Sequence, residues 1–346
     1  MNKKYLDIFN SVQEQHQKES TLTRDDNVLI IDGMNLFIRT FSAVPTLNGD
    51  GVHVGGITGF LISLCSSIRQ FNPTRVIIVF DGKGGSQKRK SIYSGYKGGR
   101  AVKSRLNRVV GFEDIVDEQS SMKWQIARLY EYLSCLPITV ICIDHIEADD
   151  VIAYLTQYFQ KNVIVISNDN DFLQLVNNRV SIYVPAKKKL YDQNSVLDEY
   201  GVWCENYILY KTVIGDSSDN INGIDGVGKK TALKYFPILK EKRKIEIDEF
   251  VEIAKNVSGK NKTADNIKQS IDIINRNYSL MQLETETISG NSQSKIRNIV
   301  DSICDSLARF KINRLYSDDK LSTVFPKWGE WLQTNFSRLN ILREKI

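Results

Sequence analysis

Histidine is scarce in this chain, and its cysteines follow no metal-binding or redox pattern. Only three histidines occur among 346 residues: His16, His53 and His145. The five cysteines are odd in number and lack the paired spacing of a zinc site or a disulfide framework: Cys65, Cys135, Cys142, Cys204 and Cys304. Most of them lie in apolar surroundings, so we expect buried free thiols in a reducing cytosol.

Long apolar runs are also missing. No segment reaches the length needed to span a bilayer, and residues 1–27 are too polar for a signal peptide. We therefore expect a cytoplasmic protein without a membrane partner. A chain of 346 residues has room for a sizeable core and more than one domain. The net charge of +5 is modest, so the distribution of charge is more informative than its sum.

The sequence does contain a series of short apolar runs rich in β-branched residues. These runs span residues 28–31, 75–80, 138–143, 162–166 and 180–184. Segments with helical apolar spacing separate several of them, for example near 56–71. Strands that alternate with helices predict an α/β fold with a mostly parallel sheet.

Acidic residues follow four of these five runs. They are Asp32, Asp81, Glu147 with Asp149 and Asp150, and Asp169 with Asp171. One acid after a strand is usually a turn or cap residue. Because parallel strands end at a common edge, however, these acids are expected to converge. Two like charges about 4 Å apart repel by roughly 4 kcal/mol at an effective dielectric of about 20, so the pattern favours bound magnesium or manganese.

A basic segment without a single acid lies between Asp81 and Glu113. Its cations are Lys83, Lys88, Arg89, Lys90, Lys97, Arg100, Lys103, Arg105 and Arg108, and Tyr93 and Tyr96 lie among them. Such a segment is often only a solvated surface. Because this one leaves the sheet directly after an acidic strand end, it is expected to lie over the acidic site. Tyrosine stacking and phosphate neutralisation then favour contact with a single-stranded nucleic acid.

A glycine-bearing turn occurs at residues 223–228, after Asp216 and Asp219. It contains Gly223, Gly226 and Gly228 and opens onto a predicted helix that begins with Lys229 and Lys230. Backbone N–H groups at a helix start can hold phosphate oxygens. The spacing is not that of a nucleotide-binding P-loop. The surrounding helices instead favour sequence-independent binding to a duplex backbone.

The two ends of the chain carry no comparable motif. Residues 1–26 form a polar extension of undetermined function. Beyond Lys240 the sequence is helical and charged, with helices expected at 263–283 and 294–310. Aromatic residues near the end are spaced as if to pack a terminal helix onto the body: Phe325, Trp328, Trp331 and Phe336.

Six motifs, taken in order, resemble the flap endonuclease or 5′-nuclease family. They are Asp-Gly-Met-Asn at 32–35, Phe-Asp-Gly at 80–82, Tyr-Lys-Gly-Gly-Arg at 96–100, Glu-Ala-Asp-Asp at 147–150, Asp-Asn-Asp at 169–171 and the segment 215–228. The resemblance covers about residues 28–237 and is closest to bacteriophage 5′-3′ exonucleases, including the phage ribonuclease H that removes RNA primers. It implies a PIN-like core at 27–195 with a basic arch at about 83–121, a helix-three-turn-helix subdomain at 196–290 and a helical region at 291–346.

The resemblance also implies a site for two magnesium ions, in which manganese can substitute. The residues that match ligands of the first ion are Asp32, Asp81, Glu147 and Asp149, with Asp150 sharing it. Those that match the second ion are Asp169, Asp171, Asp216 and Asp219. Lys97 and Arg100 match arch residues that touch the scissile phosphate, and Arg39 matches a basic residue near the site of phage members. No histidine is required, which agrees with the scarcity of that residue.

Nucleic-acid contacts are implied along the arch and the turn. The residues concerned are Lys83, Lys88, Arg89, Lys90, Tyr93, Tyr96, Lys103 and Arg105 in the arch, and Gly223, Gly226, Gly228, Lys229 and Lys230 in the turn. In the family this turn binds the duplex backbone, often with a potassium ion. We therefore expect a monomer, in the host-cell cytoplasm if of phage origin, that acts on DNA and RNA–DNA with 5′ flaps, nicks or ends. A contact between the C-terminal region and single-stranded-DNA-binding protein is a further expectation.

Two other functions agree with parts of the pattern. A PIN-type single-strand ribonuclease would need fewer acids and neither the arch nor the glycine turn. A non-catalytic, structure-specific DNA-binding protein would have no use for the full set of acids. The preference between RNA and DNA, and the balance of exonuclease and flap cleavage, stay open at this stage.

Overall fold

One six-stranded sheet organises the molecule. The computed structural model describes residues 21–98, 105–259, 261–283 and 288–346. The strands of the sheet are β1 (Asn27–Asp32), β2 (Arg75–Asp81), β3 (Thr139–Ile143), β4 (Asn162–Ile166), β5 (Val180–Val184) and β6 (Lys189–Tyr191). Their order across the sheet is β3-β2-β1-β4-β5-β6. The first five are parallel, and β6 pairs antiparallel to β5.

The strands form because their apolar residues are covered on both faces of the sheet. Along β1, Val28 and Ile30 belong to one apolar cluster, whereas Leu29 and Ile31 belong to the other. Continuous apolar runs are typical of parallel strands with helices on both sides. The predicted α/β fold and its five strands are therefore confirmed. The sequence prediction missed β6, because this strand has only three residues and follows a turn rich in lysine.

Helices cover both faces. In the sheet-forming half they are α1 (Gly33–Ala43), α2 (Gly55–Phe71), α3 (Gln87–Ile92), α4 (Ile115–Leu133), α5 (Ala148–Tyr158) and α6 (Gln193–Tyr200). Buried side chains of α1, α2 and α4 pack against one face of the sheet, in the cluster that contains Leu29. Helix α5 packs against the other face, in the cluster that contains Val28.

The second half is mainly helical. Its elements are α7 (Tyr207–Ile214), the hairpin of β7 (Gly215–Asp216) and β8 (Ile221–Asn222), α8 (Lys229–Tyr235), α9 (Ile247–Lys255), α10 (Lys262–Gln269) and α11 (Ile271–Met281). The apolar cluster behind α5 continues into α7, α9 and α11. The proposed domain boundary at residue 196 stays a prediction, since one apolar cluster crosses it.

Two of the expected C-terminal helices are wrong as single elements. The segment 263–283 forms α10 and α11, which are separated at Ser270. The segment 294–310 contains the end of α12 (Gly290–Asp301) and the start of α13 (Arg309–Asp318), with an interruption that begins at the extended Ser302. Apolar periodicity does not reveal such breaks, because the apolar positions resume on both sides of them.

The last helices complete the core on the face that contains Leu29. Side chains of α13 and of α14 (Trp328–Leu342) belong to the same apolar cluster as α2 and α4. Trp328 is stacked between the rings of Tyr316 and Trp331, at 4.9 and 5.0 Å between centroids. The predicted packing of the terminal aromatic residues onto the body is confirmed.

The first described segment of the chain contacts the C-terminal region. The N–H of Arg24 donates to the carbonyl oxygen of Lys345, and the Arg24 guanidinium donates to Val300, Asp301 and Ser302 carbonyl oxygens. Residues 1–20 of the predicted N-terminal extension lie outside the described residues. Among the helices that the structure describes, none is long and apolar enough to cross a bilayer.

Candidate metal centre and nucleic-acid interface

The carboxyl edge of the sheet brings the predicted acids together. Asp32 ends β1 and its Oδ1 accepts a hydrogen bond from the Asn35 N–H at 3.0 Å, which caps α1. Asp81 ends β2, and its Oδ1 accepts from the Ala148 N–H at 2.8 Å, the first residue of α5. Both acids therefore accept hydrogen bonds from backbone N–H groups at helix N-termini. Capping and convergence at one edge occur together here.

The remaining acids of this edge follow β3 and β4. Glu147 is the N-terminal flanking residue of α5, and Asp149 and Asp150 lie in its first turn, where the helix dipole favours negative charge. Asp169 caps the short 3₁₀ turn Asn170–Leu175 through a 2.8 Å bond from the Asp171 N–H.

Uncharged side chains that the sequence interpretation missed join the strand ends. The Ser167 hydroxyl donates to Asp32 Oδ2 at 2.9 Å and accepts from the Asp169 N–H at 3.0 Å. Asn35 Oδ1 accepts from the Asn168 backbone N–H at 3.1 Å and from its side-chain amide at 3.0 Å. Their position beside the acidic motifs was the only available signal. Together they hold the ends of β1 and β4 in a common frame.

Mutual charge and burial perturb the acids strongly. Burial, with the charges of Asp169 and Asp81, raises the pKa of Asp32 to about 7. Burial and the charges of Asp169 and Asp32 raise the pKa of Asp149 well above its usual range. Burial likewise raises the pKa of Asp169, and burial with the charge of Asp169 raises that of Asp171 to about 7. Burial and neighbouring acids therefore both disfavour the charged form of these aspartates in the protein without bound ions.

Lys211 is a site residue that the sequence prediction missed. Its Nζ lies 2.8 Å from Asp171 Oδ1 and 2.5 Å from Asp216 Oδ2. Although burial raises the pKa of Asp216, the neighbouring Lys211 charge and hydrogen bond lower it overall. A lysine within the otherwise apolar helix α7 was the signal that could have revealed it. Lys211 connects the acids after β4 with those of the β7–β8 hairpin.

The donor chemistry at this edge fits a hard divalent cation. The charged groups that could ligate a metal here are all carboxylates. Asp171 Oδ1 is buried and has no hydrogen-bond partner of good geometry, although Lys211 Nζ forms an ion pair with it. Within the described residues, no three acidic, histidine or cysteine side chains are arranged to hold one ion together. Several carboxylates are instead paired with lysine or arginine in this conformation. Bound divalent ions would stabilise the charged form of these buried aspartates and offset the repulsion between them.

Lys97 connects the basic segment to both groups of acids. Its backbone adopts a left-handed conformation, with φ of 54°. The Lys97 N–H donates to the Asp219 carbonyl oxygen at 2.9 Å, and its Nζ donates to Glu147 Oε1 at 3.0 Å. Lys97 therefore lies beside the acids, and its predicted contact with the scissile phosphate stays a prediction. Arg100 and Lys103 lie outside the described residues.

Two predicted contacts with nucleic acid need correction. Arg89 and Tyr96 were expected to contact nucleic acid, but they are only 8% and 3% exposed. Arg89 pairs with Glu147 and Asp150, and the Tyr96 hydroxyl donates to Glu147 Oε2 at 3.0 Å. The same guanidinium engages Asp150 in this conformation, and the ligand role of Asp150 stays a prediction. Sequence alone cannot separate a buried cation from a surface one within a basic run.

Several other basic residues that the structure describes face solvent. Exposed members are Lys83, Lys88, Lys90 and Arg105, and Arg39 is exposed on α1. The Arg105 guanidinium donates to the Glu113 carbonyl oxygen at 2.8 Å. Tyr93 is half-buried, with the Arg276 guanidinium 4.8 Å from its ring centroid. The exposed residues keep the surface charge that a polyanion would need.

The glycine turn forms an open concave surface with α10 and α11. Gly226 has φ of 79°, a conformation that favours glycine, and Gly223 approaches the Val213 and Ile214 carbonyls too closely for a Cβ. Gly228 and Lys230 are exposed at the start of α8, and the exposed Lys229 donates through Nζ to the Glu199 carbonyl oxygen. Asn266, Gln269 and Ser270 line the opposite side. The predicted turn and its helix are present.

This chain belongs to the 5′-3′ exonuclease family. The model of the 5′-3′ exonuclease N-terminal resolvase-like domain matches residues 27–201. The model of the 5′-3′ exonuclease C-terminal SAM fold matches residues 202–298. The mostly parallel sheet with its acidic edge, followed by a helical subdomain with a glycine turn, is thus the architecture of a 5′-nuclease.

Among curated proteins, the chain is 33% identical over 221 residues to the 5′-3′ exonuclease of Aquifex aeolicus. This match covers 63% of this chain and 70% of that protein. It is 27% identical over 317 residues to DNA polymerase I of Bacillus subtilis, a match that covers 89% of this chain. The chain spans only 33% of that polymerase.

Among solved structures, the bacteriophage T5 flap endonuclease in a pseudo-enzyme–product complex with DNA and metal ions is similar to this chain. The TM-score is 0.65 at 22% identity, and the match covers 80% of this chain and 98% of that one. At this level of identity the likeness establishes the fold.

Proposed function

We propose that this chain is a magnesium-dependent 5′-nuclease that hydrolyses phosphodiester bonds of DNA and RNA–DNA at 5′ flaps, nicks and ends. The observation that carries the proposal is the convergence of aspartates at one sheet edge, where burial and mutual charge raise the pKa values of Asp32, Asp149, Asp169 and Asp171. Family membership and the likeness to a nuclease solved with DNA and metal ions support it.

The carboxylates divide into two groups that would hold two ions. The first group is Asp32, Asp81, Glu147 and Asp149, and Asp150 lies beside it, paired with Arg89 in this conformation. The second group is Asp169, Asp171, Asp216 and Asp219. When bound, two magnesium ions would supply an activated water and stabilise the leaving oxygen. Manganese has the same preference for oxygen ligands and would substitute.

Basic residues of the chain would orient and stabilise the reacting phosphate. Lys97 is held at the site by Asp219 and Glu147, so its ammonium group is placed to compensate negative charge as it builds on the phosphate. Arg100, three residues further on, would add a second cation, and Arg39 would contact the strand from α1. The exposed cations Lys83, Lys88, Lys90 and Arg105 would guide the 5′ single strand electrostatically.

The glycine turn would hold the duplex next to the cleavage point. Its open surface and the N–H groups around Gly226 and Gly228 suit phosphate oxygens, and Lys229 and Lys230 add charge. A potassium ion among the turn carbonyls would strengthen that contact. The proposal includes removal of RNA primers during replication. The enzyme would act as a monomer in the cytoplasm, which is that of the host cell if the protein is of phage origin. A contact of its C-terminal region with single-stranded-DNA-binding protein would recruit it.

The test is digestion of 5′-labelled flapped, nicked and RNA-primed duplexes with magnesium, with manganese, and with EDTA. We expect cleavage at the base of the flap in either metal and none with EDTA. Equal cleavage of unpaired RNA and of flapped duplex would instead indicate a single-strand ribonuclease. Tight flap binding without any metal-dependent cleavage would indicate a DNA-binding protein, and the proposal would be withdrawn.

A further inference from the structure

The buried guanidinium of Arg89 donates hydrogen bonds to three different residues. Its Nη1 donates to Glu147 Oε2 at 2.7 Å and to Asp150 Oδ2 at 2.8 Å, and its Nη2 donates to Asp150 Oδ1 at 2.7 Å. Its Nε donates to the Leu280 carbonyl oxygen at 2.7 Å. A single side chain of α3 therefore contacts the start of α5 and the end of α11.

These contacts satisfy polar groups that lie in or near the protein interior. Glu147 is 2% exposed, and a buried carboxylate without a partner is strongly unfavourable. Leu280 lies in the last turn of α11, where carbonyl oxygens lack partners within the helix. The forked, planar guanidinium fits this arrangement, since it binds a carboxylate through two parallel N–H groups.

The contacts also determine how Glu147 is presented. Arg89 and Tyr96 donate to its Oε2, while Lys97 donates to its Oε1. Arg89 is eight residues before Lys97 in the chain, so it fixes the base of the segment that carries the ammonium group at the acidic site. Arg89 thus helps to fix the relative position of Glu147 and Lys97, together with their direct hydrogen bond.

We infer that Arg89 is a positioning residue of this nuclease: it holds Glu147, sequesters Asp150 away from the metal ions and joins the base of the basic segment to α11. It makes no contact with nucleic acid. This inference rests on the proposed function, and it assigns to Asp150 a partner within the protein.

The first experiment compares Arg89→Lys with the wild type and with Lys90→Ala. Arg89→Lys keeps the charge but loses the fork, so we expect kcat to fall about 10- to 100-fold with KM within about twofold of wild type. Lys90 is exposed on the same helix, so Lys90→Ala should raise KM and weaken DNA binding in calcium. Circular dichroism and urea denaturation establish the folded fraction of each variant.

Several results would overturn the inference. A raised KM with unchanged kcat in Arg89→Lys would make this residue a DNA contact. An activity loss that only follows the folded fraction would make its role purely structural. Absence of metal-dependent cleavage by the wild type would instead refute the proposed function.

A second variant, Asp150→Asn, keeps the inference testable if Arg89→Lys does not fold. The amide keeps one accepting oxygen for Arg89, so we expect a folded protein with reduced kcat. Calorimetric titration with Mn²⁺ should give an affinity within about twofold of wild type, because Asp150 is not a ligand. A fall in Mn²⁺ affinity of about tenfold or more would show that Asp150 binds the ion and would overturn the inference.

Discussion

At the scale of single residues, the acidic edge combines two physical roles. Asp32 and Asp81 cap helices, and the same carboxylates take part in the charge crowding that a divalent cation would relieve. Lys97 and Lys211 offset part of this charge through pairs with Glu147, Asp171 and Asp216. The carboxylates of the site can therefore be neutralised either by these lysines or by bound cations.

Replacing one carboxylate of the edge should stop catalysis without abolishing binding. For Asp149→Asn we expect turnover to fall by about 10³-fold or more, because a carboxylate that would bind the first ion is lost. Duplex binding in calcium should persist or become tighter, since negative charge near the phosphates is removed. Asp305→Asn, an exposed acid far along the chain from these motifs, is the control. Retained cleavage in Asp149→Asn would refute its assignment as a ligand.

Lys97→Ala separates transition-state stabilisation from binding. Loss of the ammonium group next to Glu147 should lower kcat about 10²-fold and change DNA affinity little, because its charge acts on the reacting phosphate. Single-turnover rates and binding isotherms measure the two effects. Lys327→Ala removes a lysine that is 79% exposed and serves as the control. An effect on affinity alone would reduce Lys97 to a tether.

At the scale of elements, short connections bring the acidic edge next to the helical subdomain. The turn between β5 and β6 lies beside the acidic motif, since the Ala186 N–H donates to Asn168 Oδ1 at 2.8 Å. Lys187 and Lys189 of this hairpin pair with Glu199 at the end of α6, each at 2.8 Å. Lys229 of α8 donates to the Glu199 backbone. The hairpin, α6 and the glycine turn are therefore fixed relative to one another.

Glu199 should give this junction a characteristic pH dependence. Although burial raises the pKa of Glu199, hydrogen bonds from Lys187, Lys189 and Tyr191 lower it to about 2. Because the pKa of Glu199 is lower in the folded protein, the charged carboxylate stabilises the fold at pH values above its ordinary pKa of 4.5. This stabilisation is lost as the pH falls from 4.5 towards 2. We expect Glu199→Gln to cost about 1 kcal/mol at pH 7, with the cost shrinking below pH of about 4.5.

Urea denaturation of the wild type and of Glu199→Gln at pH 7, 4 and 3 tests this dependence. Glu330→Gln replaces a glutamate that is 68% exposed and should leave the free energy of unfolding unchanged at each pH. A difference between Glu199→Gln and wild type that is constant with pH would disprove the ion-pair contribution.

The start of α8 should contribute salt-dependent binding. If Lys229 and Lys230 each neutralise one phosphate, the double variant Lys229→Ala with Lys230→Ala should reduce the slope of log affinity against log salt by about 1.8. Filter binding of a non-cleavable duplex at salt concentrations from about 50 to about 200 mM measures this slope. Lys311→Ala, on α13, is the matched control. An unchanged slope would remove both lysines from the interface.

At the scale of the whole molecule, the C-terminal helices brace the sheet-forming half. Asp319, at the end of α13, is 6% exposed and accepts hydrogen bonds from the Arg128 Nε at 2.9 Å and from the Tyr132 hydroxyl at 2.8 Å. Both partners lie on α4, the helix that follows the basic segment. Residues 299–346 extend beyond the matched family domains, and apolar side chains among them belong to the core cluster that contains Leu29.

This brace predicts a single cooperative unfolding transition. Asp319→Ala should lower the free energy of unfolding by about 3 kcal/mol, because it leaves the Arg128 guanidinium and the Tyr132 hydroxyl without their buried partner. Asp318→Ala removes a neighbouring acid that is 52% exposed, and its cost should stay below about 1 kcal/mol. Equal effects of the two substitutions, or a separate early transition in urea, would contradict a C-terminal region integrated into the core.

Local patterns carried most of the fold. Five β-branched runs and the acids after them predicted the sheet and its acidic edge, because parallel strands end on one side whatever their order. The sequence could not reveal the strand order β3-β2-β1-β4-β5-β6, the short β6, or the helix breaks at Ser270 and Ser302. These depend on contacts between distant segments, which leave no local period.

The chemistry of the protein was determined by the identity and order of its residues: oxygen donors after four strands, cations between them, and a glycine turn before two lysines. Only the tertiary structure decided the partner of each charge. Arg89 is buried on Glu147 and Asp150, whereas Lys90, its neighbour in the chain, faces solvent. Both residues are long cations in one basic run, and burial against α5 and α11, a long-range packing outcome, separates their roles.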